Sequence, residues 1–154
     1  MSKIKTLSCA LAILSSVLLF TSCTDDDDFG DIQSEIFYNL TSVTWFAEDS
    51  GYDYYDREFY SCEYWDFYSD GTGVYDTYLE VAGYPPEKNR YYFDWDFTTD
   101  NFAVIGIYMH GSGTEFWQIY DLTPYQFSSY VSNLDPVYNP GVPSTFQKLY
   151  ALEE

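Results

Sequence analysis

At 154 residues, with 46% hydrophobic and 22% aromatic content, the chain holds enough apolar surface for one domain with a real core. Twenty-five acidic residues against six basic ones give a net charge of −19 at pH 7. A surface so acidic repels phosphate backbones and anionic headgroups, which excludes nucleic acid as a partner and suits the solubility of an exported protein.

Lys3 and Lys5 precede an apolar run from Leu7 to Phe20 that is interrupted by Ser8, Ser15 and Ser16. This is the pattern of a signal peptide, with a charged start, a short apolar stretch and small residues before Cys23. The run falls short of the roughly 20 apolar residues that a spanning helix needs. Phe20-Thr21-Ser22-Cys23 resembles a bacterial lipobox. That resemblance implies cleavage before Cys23, followed by acylation of its thiol and its new amine, palmitate among the chains. Several chains at about 0.8 kcal/mol per buried CH₂ anchor a protein firmly. Thr24-Asp25-Asp26-Asp27-Asp28 then reads as a hydrated, extended spacer. It also resembles the acidic export signal of surface lipoproteins in the Bacteroides group, which implies display on the outer membrane facing outward. Three segments follow: a signal peptide over residues 1–22, the lipidated cysteine and acidic tether over 23–30, and a folded domain over 31–154.

Ile32, Ile36, Phe37 and Leu40 recur at helical spacing, with Asp31 placed to cap a short helix over Asp31–Leu40. Val43–Glu48 reads as the first strand, and Ser50–Arg57 as a loop rich in tyrosine and aspartate. Phe59–Leu79 is a hairpin, because Asp70-Gly71 supplies a positive-φ corner between two aromatic runs. Alternation puts Phe59, Ser61, Glu63, Trp65 and Phe67 on one face of its first arm. Pro85 and Pro86 mark Val81–Asn89 as a loop. Arg90–Phe97, Phe102–Met109, Thr114–Leu122, Tyr125–Val131 and Ser144–Leu149 follow as strands. His110–Gly113 turns between two of them, and Leu134–Pro143 crosses irregularly between the last two. Eight short strands without βαβ alternation predict an all-β, antiparallel up-and-down barrel, since closure removes exposed edges.

Leu40 with Trp45, Phe67-Tyr68-Ser69-Asp70-Gly71-Thr72-Gly73, Phe93-Asp94-Trp95, Trp117-Gln118-Ile119-Tyr120-Asp121-Leu122-Thr123 and Phe146-Gln147-Lys148 occur in that order. Together they resemble the lipocalin-like domains of Bacteroides-group lipoproteins, from about Leu40 to Leu149. The resemblance implies a lipocalin-like barrel and carries no catalytic or ligand signature.

Trp45, Trp65, Phe67, Phe93, Trp95, Val104, Trp117, Ile119 and Phe146 are the predicted interior. An eight-stranded barrel is wide enough only for side chains or one small ligand, so a filled core and a small apolar cavity both remain open. Tyr52, Tyr54, Tyr55, Tyr84, Tyr91 and Tyr92 could crowd one rim, where rings and hydroxyls stack on sugars. Asp94 and Asp96 share one strand face and read as solvated, not as the facing carboxylates of a glycosidase. Asp53, Asp56 and Glu58 lack the order of a calcium loop, and His110 alone makes no zinc site. Cys62 has no cysteine left to pair with and reads as a small buried apolar residue. No cofactor or metal is expected. The expectation is a non-enzymatic, surface-anchored binding or scaffold protein. Two alternatives are a glycan-binding accessory subunit docked on an outer-membrane protein, and a hydrolase using loop carboxylates.

Overall fold

The computed structural model describes residues 26–152, with side chains from Gly30 onward. The predicted signal peptide and Cys23 lie outside the described residues. One helix, α1 (Asp26–Thr41), precedes β1 (Thr44–Tyr52), β2 (Glu58–Phe67), β3 (Thr72–Val81), β4 (Glu87–Phe97), β5 (Val104–Met109), β6 (Gly113–Leu122), β7 (Gln126–Ser132) and β8 (Thr145–Ala151). Each strand pairs antiparallel with the next, and β8 returns to β1. The fold is the predicted one, a closed eight-stranded barrel with a short N-terminal helix.

Element boundaries differ most in three places. The helix runs from Asp26, not Asp31, so three of the four aspartates of the acidic run are helical, where an extended spacer was expected. Acidic residues favour a helix's first turn, so such a run suits either state. β1 continues through Ser50, Gly51 and Tyr52, and β4 begins at Glu87. In both cases a long neighbour carries polar residues into the ladder: Tyr52 pairs with Glu58, and Leu79 with Glu87. Cross-strand pairing overrides a weak local pattern.

The central hairpin fixes the register of the whole sheet. The Tyr68 amide donates to the Thr72 carbonyl at 2.8 Å, and the Gly71 amide to Tyr68 at 3.1 Å. Gly71 takes the corner with φ 84°, where a Cβ would be strained. Trp65 then stands opposite Tyr75, and Phe67 opposite Gly73. Gly73 is required for space: a Cβ there would come within 2.2 Å of the Phe93 ring.

Inside the barrel, Trp45, Trp65, Phe67, Phe93, Trp95, Ile105, Ile107, Trp117, Phe127 and Leu149 form one buried cluster. The rings meet edge to face or tilted: Trp65 on Trp117 at 4.7 Å, Phe67 on Phe93 at 5.3 Å, and Trp45 on Phe127 at 5.7 Å. Ile119 packs against this cluster while only partly buried. Two expectations are corrected. Phe146 pairs with Tyr130 and is 50% exposed, because register places Leu149 inside and Phe146 on the outer face. There it joins Tyr120 and Tyr130 in an external aromatic group. Val104 is buried, but on the face of β5 opposite Ile105 and Ile107.

One end of the barrel, the base, is sealed. Ile32–Thr41 of α1 belongs to the same compact unit as the strands. Leu40 is fully buried, and Phe37 meets Trp95 at 5.9 Å. The Trp45 indole N–H donates to the Leu40 carbonyl at 3.0 Å, capping the helix end from within the core. The Gln33 side-chain amide donates to the Asp100 carbonyl in the loop before β5.

The other end, the mouth, is built differently. β1 pairs with β8 only at Trp45–Ala151 and Phe46–Tyr150, so Ala47–Tyr52 runs on without a β8 partner. β4 meets β5 only from Phe93 onward, so Glu87–Tyr91 runs on as well. β1 to β4 therefore rise past the closed section as a four-stranded sheet with two free edges.

Candidate binding mouth

Residues 53–57, 82–86, 110–112 and 133–144 connect the strands at the mouth. Asp53 organises the first of these connections. Its carboxylate accepts from the Tyr55 amide at 2.8 Å and from the Arg57 amide at 3.0 Å, and it is ion-paired with the Arg57 guanidinium. Hydrogen bonding from Arg57 holds the Asp53 carboxyl below the usual carboxylate range. Arg57 in turn lies 5.0 Å from the Tyr55 ring and 4.8 Å from the Tyr84 ring. Two of the six predicted binding tyrosines thus grip a cation of the chain itself, joining two loops.

The remaining four predicted tyrosines are spread out. Tyr54 is 95% exposed beside Tyr55, and Tyr52 donates across the strand pair to Glu58 at 3.0 Å. Tyr92 lies on the outer wall, whereas Tyr91 lies on the inner face directly across from Tyr75. Register therefore separates neighbours that composition grouped together. Of the six, Tyr91 alone faces a cavity between the inner faces of β3 and β4 and the β5–β6 turn. That cavity measures ≈ 670 Å³, and its lining includes Tyr75, Tyr91, Met109 and Glu115.

Tyr75 is the residue that sequence reasoning missed. Its ring stacks on Trp65 at 3.8 Å and on Tyr91 at 5.7 Å, forming a column from the core up to the mouth. Burial, with Glu63 and then Glu115 close by, pushes its phenol well above the ordinary tyrosine range. Glu63, on β2, and Glu115, on β6, thus bring two carboxylates near the Tyr75 hydroxyl. Glu115 also accepts from the Trp117 indole N–H at 3.0 Å. The Trp65 indole N–H, 3% exposed as a residue, has no hydrogen-bond partner among the described residues. The signal for this cluster was present in the hairpin: once Asp70-Gly71 sets the corner, Trp65 must face Tyr75.

The other candidate groups are engaged elsewhere. Asp94 lies 2.9 Å from His110 Nε2, and Asp96 accepts from the Tyr108 hydroxyl at 3.0 Å, both on the outer wall. Cys62 is buried on that wall beside Tyr60 and Tyr64, whose phenol it helps push up to about 12. Among the described residues, no group of three or more His, Cys, Asp or Glu is placed to hold a metal ion. No protein-family model matches the chain, and no curated protein matches it in sequence.

Proposed function

We propose that this is a lipid-anchored, surface-displayed, non-enzymatic binding protein that takes its ligand at the mouth of a lipocalin-like barrel. The observation that carries the reading is the contrast within one lumen. Rings fill the base, leaving the tyrosine- and carboxylate-lined mouth as the place for a small ligand. The membrane is reached through acylated Cys23, and the net charge keeps the domain off anionic surfaces. Native mass spectrometry of the protein purified from a bacterial host tests the binding role. A mass above that of the acylated polypeptide, lost in Tyr91→Ala, supports it; a bare mass together with no response to ligand panels sinks it. Cys23→Ala should yield a soluble or uncleaved precursor, and unchanged membrane fractionation would refute the anchor.

A second reading, an accessory subunit docked on an outer-membrane protein, is favoured by one feature. The free edges Ala47–Tyr52 and Glu87–Tyr91 offer backbone groups for an added strand. Co-purification of a partner, lost when proline replaces Ser50, would support it.

A further inference from the structure

We propose that the mouth selects an organic cation, an alkylammonium headgroup, in preference to a neutral sugar or an apolar chain. This deepens the binding reading above and rests on it.

The argument begins with what lines the cavity. Tyr75 and Tyr91 present stacked rings from adjacent strands, 26° from parallel, with Met109 and Glu115 across from them. Among the described residues, the lining contains no lysine, arginine or histidine. Glu63 stands directly across the strand pair from the lining residue Thr77 and so adds a second carboxylate to the same inner face. Ring faces carry negative quadrupole density, and carboxylates beside them deepen the same field in a half-buried place. A cation entering there meets the exposed Tyr91 ring and the Glu115 carboxylate, with the Tyr75 ring, itself stacked on Trp65 and Tyr91, extending the aromatic column behind them. A neutral sugar would gain stacking but nothing from the field.

The kind of cation follows from the same walls. A hard metal ion wants six or more oxygens in its shell, and two carboxylates among aromatic faces do not provide them. A primary ammonium gives up strong hydration on entry, and a guanidinium carries a planar fork of donors that these ring faces cannot satisfy. An alkylated ammonium is weakly hydrated, and its methyl groups suit tyrosine faces and a thioether.

The protein already uses this contact internally. Arg57 lies over Tyr55 and Tyr84, Lys88 lies 5.4 Å from the Tyr78 ring, and Lys148 lies 5.2 Å from the Tyr150 ring. Among the described residues, each of these tyrosines meets a cation of the chain. Tyr75 and Tyr91 are the inward-facing pair turned toward an open cavity.

The test is calorimetric titration of the full-length acylated protein in a non-ionic detergent. The probes are benzyltrimethylammonium, choline, 3,3-dimethylbutanol as choline's uncharged isostere, and methyl glucoside. The expected result is one site for the two cations, with the uncharged isostere at least ~10-fold weaker. Tyr91→Ala and Glu115→Gln should each weaken cation binding about 10-fold while leaving the circular dichroism spectrum unchanged. Glutamine at 115 keeps an acceptor for Trp117, so its effect reads charge and not folding. Equal affinity for choline and its isostere would overturn the proposal in favour of an apolar pocket. Binding of the glucoside alone, lost in Tyr91→Ala, would overturn the cation class and leave the binding reading intact. Silence from all four probes, with a bare native mass, would overturn both.

Discussion

The base and the mouth of this barrel share strands β1 to β4 yet are held together in different ways. At the base, large apolar side chains fill most inward positions, their rings in mutual contact, and Ile32–Thr41 of α1 packs at that end. Toward the mouth the inward positions become Ser61, Glu63, Thr77 and Asn89, and both outer strands lose their neighbours. There, contacts between the loops and across the strands are ion pairs and ring–cation pairs, namely Asp53 with Arg57, Asp76 with Arg90, and Arg57 with Tyr84. The lesson is that close packing and the proposed binding site are segregated along the barrel axis. Close packing needs rings on all sides, and a ligand cavity needs some sides left open.

Substitutions can break that contrast, beginning with the base. Trp117 is fully buried and touches Trp65, Phe67 and Phe127. Trp117→Ala should destabilise the fold by about 3–5 kcal/mol, since it leaves a cavity the neighbouring rings cannot fill. Urea unfolding of purified protein measures this, and a loss below about 1 kcal/mol would mean the base is not the keystone of stability. Gly73→Ala attacks the same layer by overpacking, with the added methyl pressed onto the Phe93 ring. A loss of about 1–3 kcal/mol is expected. Trp45→Phe keeps a ring in place but strips the donor from the Leu40 carbonyl, a group inside the sealed end. An unsatisfied buried acceptor costs about 1–3 kcal/mol, and α1 amides should lose hydrogen-exchange protection before the strands do. By contrast Tyr91→Ala, at a 40% exposed position of the mouth, should shift stability by less than about 0.5 kcal/mol.

How much of this was legible follows from the same segregation. The base was readable because hydrophobic alternation is its physics: Trp65 and Phe67, or Phe93 and Trp95, repeat every second residue. Phe146 misled because a large ring between polar Thr145 and Gln147 reads as the inward residue, whereas the strand's inward residue is Leu149, and only pairing with β7 settles that register. The mouth was less legible. Its tyrosines were visible as a composition; the predicted strand Arg90–Phe97 already gave Tyr91 and Tyr92 opposite parity, but with residues 81–89 read as a loop both were grouped at a rim and not on a continuing wall. Glu63 was placed on the inner face by alternation, yet that Glu115 lies on the facing wall depends on β2 and β6 meeting across the lumen, as Trp65 and Trp117 do. No local pattern encodes that distance.

The finest separation of the two ends is by acid. Asp76 stands directly across from Arg90, and two guanidinium nitrogens donate to its two oxygens at 2.7 Å. The pair joins β3 to β4 just where β4 has lost β5. Hydrogen bonding from Arg90 holds the Asp76 carboxyl below its ordinary value despite partial burial. A carboxylate lowered by folding stabilises fully above its unfolded pKa of about 3.9, and that contribution disappears as pH falls through the lowered folded value. The base cluster is apolar, with no ionisable side chain of its own. Acidification should therefore loosen the mouth first. Hydrogen exchange followed from pH 6 to pH 2 should show protection falling at Lys88–Tyr91 while Ile105 and Ile107 hold theirs. The effect will be small, since Arg90 is 61% exposed and solvent screens such pairs. Asp76→Asn removes the titrating group and should flatten the pH dependence at β4. If the two ends lose protection together, or if the asparagine variant behaves like the parent, this ion pair is not what holds the projecting sheet.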